Sequence, residues 1–90
     1  MVAREAVIAN RLGIHARPAT LLVKAAANFE ADIFLSKGNI RCINGKSIMG
    51  VMMLAAEQGA TVLVEAEGPD EEAAAAAIAG LLASSFEEAA

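Results

Sequence analysis

His15 is the only histidine in a chain of 90 residues, and it stands in the segment Gly13-Ile14-His15-Ala16-Arg17-Pro18. A neutral imidazole nitrogen is a competent nucleophile. Arg17 follows shortly after and brings a guanidinium, whose fork of donors matches phosphoryl oxygens. From about Ala16 to Ala27 the chain is rich in helix formers with apolar residues at helical spacing. Pro18 suits a first helical turn, where its missing N–H costs nothing. His15 therefore falls at a helix start, as the N-cap or beside it. Such an end presents unpaired N–H groups and roughly half a positive charge, so an anion is stabilised there. These groups can attack a phosphoryl group and then hold the resulting dianion. A lone histidine is by itself more often an ordinary surface or core residue. Arg17, the helix start and the acid-free surroundings shift the balance toward phosphate chemistry.

A second candidate is Ser47, a natural N-cap before the apolar run Ile48-Met49-Gly50-Val51-Met52-Met53-Leu54. Spacing alone supports only the capping role, although a cap position also tolerates the charge of a phosphoserine. The short helix expected over this run is apolar nearly all round. One side must cover the sheet and the other is left facing outward. Ile48, Met49 and Met52 are the candidates for docking a partner there, while Met53 and Leu54 read as core. Lys24 and Lys46 are candidates for steering acidic partners, against the plain alternative of solvated surface lysines.

The elements that must hold these residues read as follows. Residues 2–9 form a strand, and Gly13 lies in the loop leading to the first helix. Residues 32–36 and 40–44 form a hairpin across Lys37-Gly38-Asn39. The short helix after Ser47 comes next, and 61–67 is a strand in which Val62, Val64 and Ala66 alternate with Thr61, Leu63 and Glu65. Gly68-Pro69 opens a last helix, with Asp70, Glu71 and Glu72 at its positive end and Ile78, Leu81 and Leu82 on its apolar face. The order β-α-β-β-α-β-α predicts an α+β open-faced sandwich with a four-stranded antiparallel sheet.

Composition bounds the rest. The chain is 57% hydrophobic with three aromatic residues, all Phe, so the core is expected from Ala, Val, Ile, Leu and Met. The single Cys42 excludes an internal disulfide, and one His with one Cys excludes an ordinary structural zinc site. No metal and no cofactor are expected. No apolar run approaches the roughly 18 residues of a membrane span. Arg4 and Glu5 stand where a signal peptide would be apolar, which points to the cytoplasm. All seven bases lie in 1–56 with three acids, a net of +4, whereas 57–90 holds eight acids and no base. Between Ala6 and Phe29 there is no acid, but there are Arg11, His15, Arg17 and Lys24. An acidic chain almost without aromatics is unlike a nucleic-acid binder. The acidic, alanine-rich stretch 70–90 reads as a solubility feature.

The stretch Leu12-Gly13-Ile14-His15-Ala16-Arg17-Pro18-Ala19 resembles the active-site signature of the HPr family of the sugar phosphotransferase system. Lys46-Ser47-Ile48-Met49-Gly50-Val51-Met52 resembles that family's regulatory serine segment. The two matches are in register and the likeness covers essentially the whole chain. The resemblance implies one HPr domain over 1–90, an HPr-like open-faced β-sandwich with three helices on one face, working as a monomer. It implies a phosphoryl carrier and not an enzyme: His15 takes the group on Nδ1 from phosphorylated enzyme I and delivers it to the IIA component of a sugar permease, with Arg17 steadying it. It further implies that Ser47 is the target of HPr kinase/phosphorylase. Phosphate there would slow transfer and, in Gram-positive relatives, create a corepressor for a catabolite-control regulator. Two alternatives stand beside this. The carrier of a nitrogen-related phosphorelay is disfavoured by the serine segment, and a non-phosphorylated adaptor module by the histidine. A stand-alone enzyme lacks a catalytic set and a P-loop glycine pattern.

Overall fold

The computed structural model describes residues 1–84. The part of the acidic tail expectation that falls on 85–90 lies outside them. The elements run β1 (Val2–Val7), α1 (Ala16–Ala26), β2 (Asp32–Lys37), β3 (Ile40–Asn44), α2 (Ile48–Met53), β4 (Thr61–Glu67) and α3 (Glu71–Ala83). The strands form one antiparallel sheet in the order β1-β4-β2-β3. This is the expected α+β open-faced sandwich.

Strand β4 is central because its alternation is strict: Val62, Val64 and Ala66 are buried while Thr61 and Glu67 are exposed. Its register lays Ala6 against Val62, Leu35 against Val64 and Ile33 against Ala66, which gathers the apolar side chains on one face. The helices cover that face. Helix α3 lies on β1 and β4 through Ala74, Ala75, Ile78 and Leu82, and α1 packs on α2 and α3 with Ala19, Leu22 and Ala26 inward. The other face keeps Glu5, Phe34, Leu63 and Glu65 toward solvent.

Several expectations need correction. Strand β1 stops at Val7 and not at residue 9, although Ile8 still exchanges backbone bonds with Ala60 and Gly59 (2.9 and 2.8 Å). Strand β2 extends through Lys37, which shortens the hairpin loop to Gly38-Asn39 and leaves an irregular register beside it. Asp70 stands at the start of α3 as its N-cap, but its side chain makes no capping bond. Its carboxylate accepts the N–H groups of Glu30 and Ala31 at 2.9 and 2.8 Å, tying the entry of β2 to the start of α3. Glu71 bends back instead, accepting the Gly68 N–H at 3.1 Å and pairing with the N-terminal ammonium.

The core also differs from the composition reading, for it uses no methionine. The buried cluster is built from Ala, Val, Ile and Leu, and all four methionines are exposed. Met53 was expected inside and is 68% exposed. Helix α2 anchors through Val51, and Leu54 at its C-cap follows three residues later on the same side, so Met53 falls on the opposite side.

Candidate functional site

His15 is the N-cap of α1, with extended backbone angles, and its side chain makes no capping hydrogen bond. Its carbonyl accepts the first helical bond, from the Ala19 N–H at 2.9 Å. The imidazole is exposed while Ile14 before it and Pro18 and Ala19 after it are buried. The histidine is thus held at the surface by anchored neighbours. Pro18 has no N–H, so the first-turn donors left without an intrahelical acceptor are those of Ala16 and Arg17. No acid stands in that first turn. Arg17 is exposed on the same turn, so its guanidinium is available to an anion at the helix end.

The loop before His15 is fixed from three directions. Asn10, buried to 1% exposure, donates its side-chain amide to the Gly13 carbonyl at 2.7 Å, and the Gly13 N–H returns a bond to the Asn10 carbonyl at 2.9 Å. Gly13 sits at φ +68°, and a Cβ there would collide with the Ala56 carbonyl oxygen. That same oxygen accepts the Ile14 N–H at 2.8 Å. The segment after α2 therefore clamps the residue that precedes the histidine. It is braced in turn by Lys37, whose ammonium donates to the Ala55 carbonyl at 2.8 Å and to the Glu57 carboxylate at 3.1 Å. Ala55 itself adopts φ +51°, a left-handed conformation costly for alanine. A hydrogen bond from its own backbone N–H, and then the Lys37 ammonium, hold the Glu57 carboxyl below its ordinary range.

Ser47 is the N-cap of α2, its hydroxyl accepting the Gly50 N–H at 3.1 Å. The six residues of α2 span about 9 Å, so Ser47 stands one short helix away from the Ala56 clamp. Among the docking candidates, Ile48, Met49 and Met52 are exposed, and α2 packs beside α1. The lysines do not join them equally. Lys24 is exposed but lies in the last turn of α1, about 13 Å along the axis from His15. Lys46 is half-buried, and its ammonium donates to the Phe29 carbonyl at 2.7 Å. It links the chain just after β3 to the loop after α1.

Sequence reasoning passed over Leu12 and Leu21, which with Met53 are exposed apolar residues on the loop before α1 and on the two helices. The spacing Arg17, Leu21, Lys24 marks one outward stripe of α1 and could have flagged Leu21. Asn10, Lys37 and Ala56 left no comparable signal, because each of these contacts is made at a backbone carbonyl. Among the described residues, no three of His, Cys, Asp and Glu come together as a metal site, and no helix is long and apolar enough to cross a membrane.

The model of the family described as "PTS HPr component phosphorylation site" matches residues 2–84. The chain is 49% identical to the phosphocarrier protein HPr of Treponema pallidum over 88 residues, covering 98% of this chain and 99% of that one. It is 47% identical to the phosphocarrier protein HPr of Cupriavidus necator over 88 residues, covering 98% of each. Its fold superposes on the crystal structure of HPr from Thermoanaerobacter tengcongensis with a TM-score of 0.89 at 42% identity, covering 98% of both chains. A histidine held out at an anchored helix start thus meets a likeness that runs the length of the chain, and the chain belongs to the HPr family, the phosphocarriers of the phosphotransferase system.

Proposed function

We propose that His15 accepts a phosphoryl group from phosphorylated enzyme I and donates it to the IIA component of a sugar permease, as a single cytoplasmic domain acting as a monomer. The observation that carries this reading is the exposed imidazole at the start of α1, uncommitted to capping, beside the free N–H groups of Ala16 and Arg17. In the transfer, the Nδ1 lone pair of a neutral imidazole attacks phosphorus and the bond to the donor's nitrogen breaks. The three phosphoryl oxygens then lie against the helix end and the Arg17 guanidinium, which offset their charge. The return step reverses this toward the next acceptor, with the exposed apolar residues of α1 and α2 as the common docking face for both partners.

Ser47 is the regulatory site in this reading, modified by HPr kinase/phosphorylase. Its hydroxyl already points to the positive end of α2, so a phosphate is accommodated by the folded protein. The added charge then sits at the edge of an apolar docking face, which opposes partner binding and, where a catabolite-control regulator exists, offers that regulator a new contact. The serine cap favours this over the nitrogen-related relay, and the exposed histidine favours it over a non-phosphorylated adaptor.

Incubation with enzyme I and phosphoenolpyruvate gives one acid-labile phosphoryl group, read by intact-mass spectrometry, and His15→Ala abolishes it. Persistent labelling in that variant would remove His15 from the role. Labelling of Ser47 by the kinase is acid-stable and is lost in Ser47→Ala.

A further inference from the structure

Three of the four methionines, Met49, Met52 and Met53, lie on the six-residue α2 with exposures of 76, 43 and 68%. None of them holds the helix in place. That task falls to Val51 and Leu54, both fully buried, and to Gly50, whose missing side chain lets the helix lie close to β3, since a Cβ there would stand 3.0 Å from Ile43 Cγ2. Met49 stands one turn from both Met52 and Met53, so the three side chains share the outward surface of the helix. The helix has no charged residue, with neither an acid in its first turn nor a base in its last. The polarity of this face is therefore set by its thioethers and Ile48.

We propose that Met49, Met52 and Met53 form a reversible oxidation site, at which conversion to sulfoxides by a peroxide closes the docking face of α2 while leaving the fold intact. The inference rests on the reading of that face as a docking surface. In each step a thioether lone pair attacks one oxygen of hydrogen peroxide and the O–O bond breaks. The sulfur loses two electrons and keeps that oxygen, and the departing hydroxide takes the remaining proton and leaves as water. A flexible apolar group becomes a polar one with a strong acceptor, and docking must then strip water from an oxygen that finds no donor across an apolar contact. Because none of the three sulfurs is part of the buried cluster, the same change leaves the core untouched. Exposure gives an order of attack, Met49 before Met53 before Met52.

The test uses the full chain with Cys42→Ser, which removes the exposed thiol as a competing target. The protein is treated with hydrogen peroxide, oxygens are located by peptide mass spectrometry, and phosphoryl transfer from enzyme I is timed beside thermal unfolding. Three oxygens on the α2 peptide are expected to slow transfer about tenfold, the scale of leaving one polar group unpaired in a contact, with the melting temperature nearly unchanged. Methionine sulfoxide reductases restore the rate. A second protein that also carries Met49→Leu, Met52→Leu and Met53→Leu keeps its own untreated rate after peroxide. An unchanged rate in fully oxidised protein overturns the proposal. So does an equal loss in the leucine variant, or unfolding on oxidation. If the untreated protein takes no phosphoryl group at all, the carrier role of His15 fails before any peroxide is added, and the two failures stay distinct.

Discussion

Arg17 and Gly13 stand on either side of the same histidine, and substitutions separate the parts proposed for them. Arg17 is exposed and takes no part in the core, so Arg17→Ala leaves the melting temperature within a degree or two. It removes charge-assisted bonds worth about 1.5–3 kcal/mol, which slows phosphoryl transfer about 10- to 100-fold in single-turnover kinetics. An unchanged rate would take the guanidinium out of the mechanism. Gly13→Ala works through the backbone. At φ +68°, against the Ala56 carbonyl, the new methyl group forces the loop away from its clamp. The expected loss is about 2 kcal/mol or more in urea denaturation, together with slower transfer because Ile14 and His15 move with the loop. The place of this site was legible from residue types, since Pro18 in a first turn and the helix formers after it set His15 at the start of α1. Its supports were not. Asn10 reads as an ordinary polar loop residue, yet it is buried and bonded to Gly13, and Ala56 contributes only a carbonyl oxygen, which no residue type advertises.

Helix α2 depends on its cap more than the longer helices do. A helix of six residues is marginal in water by itself, and the Ser47 hydroxyl satisfies one of its few end groups. Ser47→Ala is expected to cost about 1 kcal/mol, lowering the melting temperature by about 4–8 °C as followed by circular dichroism. No change would mean that the Gly50 bond contributes nothing. The boundaries of β3 and β4 were readable to the residue because turn residues bracket both strands and β4 alternates strictly. The orientation of α2 was not, since fewer than two turns of uniformly apolar residues define no face. Met53 was misread for that reason. The contact made by Lys46 was hidden for another reason: a lysine looks solvated in a sequence, and only the approach of the Phe29 carbonyl shows where its ammonium goes.

Three acids of the C-terminal half gather at one end of the sheet. Val7 pairs with Thr61 at the end of the sheet that leads to His15, whereas Val2 pairs with Ala66 at the far end, where β4 runs on to Asp70, Glu71 and Glu72. The acids at that far end are engaged. The Glu30 N–H above all, and then that of Ala31, hold the Asp70 carboxyl below its ordinary range, and the Gly68 N–H and the N-terminal ammonium do the same for Glu71. Their folded-state values are depressed, so below about pH 4 the unfolded chain binds more protons than the native one and stability falls as the pH falls. Urea denaturation between neutral and acid pH is expected to show this loss, and Asp70→Asn to flatten it; an unaltered slope would remove Asp70 as a contributor. The charge split was visible in the sequence, but the clamp from Asp70 to Glu30 and Ala31 joins residues 40 and 39 positions apart and could not be seen there. The methionines divide between two places, with Met1 beside Val2 at that far end of the sheet and the other three on α2. Carbon-13 labelling of the methionine methyl groups alone therefore equips the protein with three reporters on the proposed docking face and one off that helix as an internal reference, enough to map a bound partner by nuclear magnetic resonance from four signals.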